Sequence, residues 1–123
     1  MKGYIVVFKC DEGIITTKTY KFVIKSGFYA YVGSCGVNCG KRISRHLLMK
    51  GKKKHWHVDY LSDFCEPLFA IILPLKERDI VKILLLNFDY VKGFGSTDDK
   101  QNPSHLFKVS LISLLSLIRG ISE

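Results

Sequence analysis

The chain reads as an α+β domain built on a small mixed or antiparallel sheet of three to four strands flanked by helices. Three observations predict this class. Residues 3 to 9, 28 to 33 and 67 to 73 are β-branched and aromatic runs of strand length, bounded by turn residues. Residues 39 to 49, 76 to 88 and 111 to 118 instead carry apolar side chains at helical spacing. The 123 residues, 47% apolar and 24% charged with three prolines, have the size and composition of one ordinary globular core.

Each element has its own signal. Gly3-Tyr4-Ile5-Val6-Val7-Phe8-Lys9 is closed by the turn-prone Cys10-Asp11-Glu12-Gly13, which predicts a buried strand entering a turn. Segments 14 to 24 and 28 to 33 continue this character. Phe22, Ile24, Phe28, Ala30 and Val32 partly alternate with Lys21, Lys25, Tyr29 and Tyr31, and Ser26-Gly27 marks a turn, so an antiparallel meander of two or three strands is expected. Asn38 stands where an N-cap opens a helix over 39 to 49, with Ile43, Leu47 and Met49 toward the core. Gly51 stops it, and a lysine run follows as a loop. Pro67 to Leu73 predicts a buried strand, and Lys76 to Phe88 a helix with Glu77 and Asp79 favourably near its N-terminus. A glycine-containing loop over 91 to 99 and a strand over 105 to 109 precede a last helix with Leu111, Leu114, Leu115 and Ile118 as its apolar stripe. Ser110, Ser113 and Ser116 lie along its other side, a packing or solvent face. Residues 1 to 109 then form the domain, and 110 to 123 a C-terminal helix packed on it.

Nineteen Lys and Arg against eleven Asp and Glu give a net charge of +8, and a cationic surplus gathered on one face concentrates polyanions. The charge is gathered in sequence: Lys41, Arg42, Arg45, His46, Lys50, Lys52, Lys53, Lys54, His55 and His57 fall within seventeen residues. Taken alone, Lys52-Lys53-Lys54 is a solvated loop; interleaved His and Trp make it a candidate binding surface. The N-terminus shows no signal-peptide core, which predicts a cytoplasmic protein, and the apolar tail from Leu106 to Ile118 is too short and too interrupted to span a bilayer. The four cysteines, at 10, 35, 39 and 65, have no Cys-x-x-Cys pair and are expected to stay reduced. Cys35 and Cys39 with His46, His55 and His57 offer zinc donors, although their spacing fits no common site.

Among side chains suited to chemistry, Tyr4 and Tyr31 are phenols near strand ends, and Arg42 and His46, four apart on a helix, can face one ligand. Glu77 offers an oxygen ligand suited to magnesium. A phosphodiester needs this set: a group to orient or deprotonate water, cationic charge on the developing phosphorane, and a carboxylate-bound divalent metal. Each also has a plain structural role. Strand tyrosines edge cores, first-turn glutamates stabilise helices, and His46 can cap or pack.

Together these residues resemble the GIY-YIG nucleases. Gly3-Tyr4-Ile5 is similar to the first motif with its last two letters exchanged, Tyr31-Val32-Gly33 to the second, and Arg42-x-x-x-His46 to the helix that follows. Within that superfamily the chain most resembles the small stand-alone Uri-type branch, long catalogued as a domain of unknown function. The resemblance runs through Gly27-Phe28-Tyr29-Ala30-Tyr31-Val32-Gly33-Ser34, Arg42-x-x-Arg45-His46-Leu47, Lys54-His55-Trp56-His57-Val58-Asp59-Tyr60-Leu61, Gly93-Phe94-Gly95-Ser96-Thr97-Asp98 and Ser104-His105-Leu106-Phe107. It implies a metal-dependent endonuclease hydrolysing phosphodiester bonds in DNA, branched or damaged forms among them, with RNA also open. Tyr4 or Tyr31 would orient or deprotonate water, with His46 assisting. Arg42 would stabilise the scissile phosphate, and Glu77, with Glu66 as its competitor, would hold one Mg2+ or Mn2+ ion. Arg45, Lys52, Lys53, Lys54, His55 and His57 would contact nucleic acid. The alternative reading is a non-catalytic nucleic-acid-binding module using the same basic face, and a third is a zinc-stabilised interaction domain.

Overall fold

The computed structural model describes residues 2–48, 57–96 and 101–122. Strand β1 (Gly3–Cys10) pairs antiparallel with β4 (Gly27–Ser34) on one side and β5 (Cys65–Leu73) on the other; β7 (Leu106–Val109) pairs with β4, and the two-residue β6 (Asp89–Tyr90) closes that edge. The sheet order is β5-β1-β4-β7-β6. The α+β class therefore stands, with five strands in the sheet where three to four are expected. The near-continuous apolar run of β1 has its reason here: a central strand covered on both faces needs apolar residues at consecutive positions, not alternate ones.

One face carries Tyr4, Val6, Phe8, Tyr29 and Tyr31 and is covered by Ile15, Phe22, Ile24, Val58, Leu61 and Phe94. The other carries Ile5, Val7, Ala30, Val32 and Phe107 and is covered by α2 (Glu77–Asn87) and α3 (Leu111–Ser122) through Ile80, Val81, Leu84, Leu114 and Ile118. Side chains on a strand alternate faces, so neighbours Tyr4 and Ile5 serve different layers. The start of α2 sits directly on β1 at Gly3. There a Cβ would come within 2.6 Å of Ile80 Cδ1 and 3.0 Å of the Glu77 amide nitrogen.

Several expectations are corrected. Residues 14 to 24 do not extend the meander but form their own hairpin, β2 (Gly13–Thr16) with β3 (Lys21–Ile24). Its turn is held by the Thr17 amide donating to Tyr20 O at 2.8 Å and the Tyr20 amide to Thr17 Oγ1 at 3.0 Å. A local hairpin satisfies its own backbone and can lay Ile15, Phe22 and Ile24 over the sheet as a lid. Helix α1 (Cys39–Leu47) packs through Ile43 and the buried His46, while Leu47 is exposed; an imidazole takes the core position because it has a buried polar partner there. Met49 lies outside the described residues. Asn38 opens α1 but makes no side-chain cap bond. On α3, Leu115 is exposed and Leu117 packs instead, and Ser110, Ser113 and Ser116 face solvent. Pro67 falls inside β5, not at its start. It is tolerated there because β5 is an edge strand with a register shift opposite Val7 and Phe8.

The cysteines are not reduced thiols: Cys10 is bonded to Cys65 and Cys35 to Cys39. The β1–β5 register sets Cys10 opposite Cys65, a pairing that sequence spacing does not reveal. Closing that loop, with a sequence separation of 55, removes roughly 4 kcal/mol of freedom from the unfolded chain. The second pair ties the end of β4 to the first residue of α1 and takes Cys35 and Cys39 out of any zinc site, since a disulfide sulfur is no thiolate. Among the described residues no helix is long and apolar enough to cross a membrane.

Candidate functional site

Tyr4 lies second in β1, opposite Gly33 of β4. Its ring rests on that glycine, where a Cβ would overlap the phenol carbon and oxygen. Glycine at 33 is therefore what lets the hydroxyl lie across β4, where Tyr4 Oη meets His46 Nε2 at 2.7 Å. Tyr31, two residues before Gly33 and so on the same face, completes the group; the His46 ring centroid lies 5.5 Å from each tyrosine ring. One turn earlier on α1, Arg42 Nη1 donates to the carbonyl of Ser34, the last residue of β4, at 2.7 Å. The strand pair and the helix thus converge at one end of the sheet, bringing Tyr4, Tyr31, Arg42 and His46 together.

Glu77 joins them from the other layer. As the first residue of α2 it is anchored above Gly3, whose amide donates to Leu75 O at 2.6 Å. Its carboxylate meets His105 Nδ1 at 3.2 Å. The competing carboxylate, Glu66, stands opposite Lys9 in the β1–β5 register, near the other end of β1 from Tyr4. Burial pushes the Tyr4 phenol up to about 12; Arg42 opposes the shift, and Glu77 and then Asp59 add to it. The Tyr31 phenol is pushed higher still, by burial first and then by Tyr4, Glu77 and Asp59. Both phenols are therefore protonated at neutral pH, and neither is a standing base. Tyr4 can act on a water only by handing its own proton on, and His46 Nε2 is within hydrogen-bond reach to take it.

Of the residues expected to contact nucleic acid, Arg45 and His57 have partners within the fold. Arg45 Nη2 donates to Asp59 Oδ2 at 2.8 Å, so its guanidinium is held against a fully buried carboxylate. That pair fastens α1 to the 3₁₀-helical stretch His57–Asp63 and so helps to aim Arg42 and His46. His57 is half-buried among Tyr20, Phe22 and Phe94, and its Nδ1 accepts the Gly95 amide at 3.0 Å. Lys52, Lys53, Lys54 and His55 lie outside the described residues. Two further polar side chains at this end, Asp59 and His105, are ones the sequence does not single out. Both stand in segments quoted for the resemblance, His57-Val58-Asp59 and Ser104-His105, and that was their only signal.

Burial lowers the pKa of His57 below its ordinary 6.5, and the ring is neutral while its Nδ1 accepts a proton donor. The stability this gives is whole above about pH 6.5 and is lost as the pH falls through the lowered folded-state value. Chemical denaturation at pH 7.5 and pH 5 should show wild type losing more stability on acidification than His57→Phe; equal losses would count against this role.

The sequence profile of the family described as Domain of unknown function DUF123 matches residues 3–121. The chain belongs to the DUF123 family. That match includes every element from β1 to all but the last residue of α3. No curated protein and no solved structure matches the chain. In this DUF123 protein, no three His, Cys, Asp or Glu side chains among the described residues gather into a metal cage. Magnesium does not require one: it is commonly held by one or two carboxylates together with water and substrate phosphates. Glu77 is the carboxylate at this end of the sheet that could take such an ion, its side chain 30% exposed and its charge felt by both phenols.

Proposed function

We propose that this DUF123 protein is a metal-dependent endonuclease of the GIY-YIG type, hydrolysing phosphodiester bonds in DNA. The observation that carries the reading is the 2.7 Å hydrogen bond between Tyr4 and His46, made beside Arg42 at a partly open end of the sheet. A buried phenol bonded to an imidazole can relay a proton when the imidazole carries its own hydrogen on Nδ1 and Nε2 accepts. In the relay, Tyr4 Oη accepts the proton of the attacking water as its own passes to His46 Nε2, so no free phenolate is needed at neutral pH. Tyr31, whose pKa is higher, keeps its proton and serves to shape and orient. Arg42 is exposed, and its planar guanidinium can fork two phosphate oxygens where negative charge develops. Magnesium or manganese held by Glu77 would supply further neutralisation of that charge and polarise the phosphoryl oxygen. The net charge of +8 favours a polyanionic substrate without choosing its sequence.

The test is incubation of the whole protein with labelled single-stranded, duplex, branched and damaged DNA, and the matching RNA, with and without Mg2+ or Mn2+. Product is expected only with metal, and Glu77→Ala should remove it. Salt-sensitive binding without product under any metal would replace this reading with the non-catalytic binding module. Product on RNA alone would change the substrate and keep the chemistry.

A further inference from the structure

His105 is an almost fully buried histidine that the relay does not use. It sits just before β7, and its backbone is bonded on both sides: the Val32 amide donates to its carbonyl at 2.9 Å, and its own amide donates to Phe94 O at 2.8 Å. The imidazole is therefore carried by a rigid support. Its Nδ1 faces two acceptors at once, Val32 O at 3.3 Å and Glu77 Oε1 at 3.2 Å. A carbonyl and an ionised carboxylate only accept, so the tautomer that suits both contacts carries the proton on Nδ1. One nitrogen thereby links the first residue of α2 to the strand that carries Tyr31 and Gly33.

Resting on the nuclease reading above, we infer that His105 is a positioning residue for the metal-holding carboxylate. By donating Nδ1–H to Glu77, it holds that side chain in one orientation at the sheet end where Tyr4 and Arg42 meet. A glutamate has three side-chain torsions, and freezing them on binding carries an entropic cost. A glutamate frozen beforehand by a buried partner does not meet that cost when a cation arrives. The effect is specific to affinity. A carboxylate that must be ordered on binding holds metal more weakly, yet once filled it presents the same oxygen.

The inference separates His105 from a merely packed histidine, because only the donor should matter and not the ring. An Asn amide places its nitrogen close to where Nδ1 lies, whereas Leu fills the space without a donor. In the whole protein, His105→Leu should raise the Mn2+ concentration for half-maximal cleavage by about 10-fold to 100-fold, with kcat at saturating Mn2+ little changed. His105→Asn should restore most of that affinity. Without substrate, Mn2+ added to isotope-labelled wild type should broaden amide signals around Glu77 and Gly3, and this focus should weaken in His105→Leu and return in His105→Asn. A ring nitrogen spectrum should show Nδ1 protonated in wild type. Unchanged half-saturation and unchanged broadening in His105→Leu would overturn the positioning role, as would an unprotonated Nδ1 or an Asn variant no better than Leu. If Mn2+ broadened nothing near Glu77 in wild type, the metal reading itself would fall, and this inference with it.

Discussion

Arg42→Ala is expected to lower metal-dependent cleavage by about 10²-fold to 10³-fold, the usual cost of removing one preorganised donor from a developing oxyanion. The fold should survive. Arg42 is exposed on α1 and bonds the strand-end carbonyl of Ser34, so loss of the side chain should move stability by no more than about 0.5 kcal/mol. The two effects together distinguish a site residue from a structural one. Arg42→Lys retains the charge but not the fork, so it should recover only part of the rate. Single-turnover cleavage beside a thermal melt checks both quantities. An Ala variant with close to wild-type rate would remove Arg42 from the site, and one that no longer melts cooperatively would make it structural.

Gly33→Ala is expected to abolish detectable cleavage although position 33 itself carries no reacting group. The new methyl would occupy the place of the Tyr4 phenol, and the β4 backbone cannot yield, because Tyr4↔Gly33 and the pairs around it fix its register with β1. The phenol must move instead, which breaks its hydrogen bond to His46. Loss of a positioned acid–base group costs about 10²-fold to 10⁴-fold in rate, and overpacking a buried site costs about 1 to 3 kcal/mol. Tyr4→Phe separates the two losses. It removes the hydroxyl and keeps the ring, so the rate should fall with a smaller change in stability. In a Tyr4→Ala background the Gly33→Ala destabilisation should largely vanish, because the group it collides with is gone. A Gly33→Ala protein with wild-type melting temperature and rate would contradict the close approach of Tyr4 to β4.

Much of this fold was legible because its elements announce themselves locally. β1 is a long β-branched run closed by a turn, and α2 has apolar residues at helical spacing behind an acidic first turn. The hairpin departs from the expected meander for a reason equally physical. Residues 14 to 24 have strand composition, but composition does not say which strand a strand pairs with, and this pair closes on itself. On α1 the apolar periodicity pointed to Leu47, whereas a histidine is buried because Tyr4, 42 positions away in sequence, supplies its partner. The cysteines show the same limit. No spacing rule relates positions 10 and 65; the register of β1 with β5 does.

The site divides along the same line. Tyr4, Tyr31, Arg42, His46 and Glu77 could all be named from the chain, because residue types at strand ends and helix starts carry chemical meaning one at a time, and the resemblance ordered them. Only the tertiary structure decided which partners each of them meets. It put His46 against Tyr4, paired Arg45 with the buried Asp59, set His57 under the Gly95 amide and brought His105 to Glu77. Those are contacts between residues 14 to 42 positions apart, made by packing two helices on opposite faces of one sheet, and local sequence holds no record of them. The sequence by itself determined the chemistry available; packing determined which of it could act together.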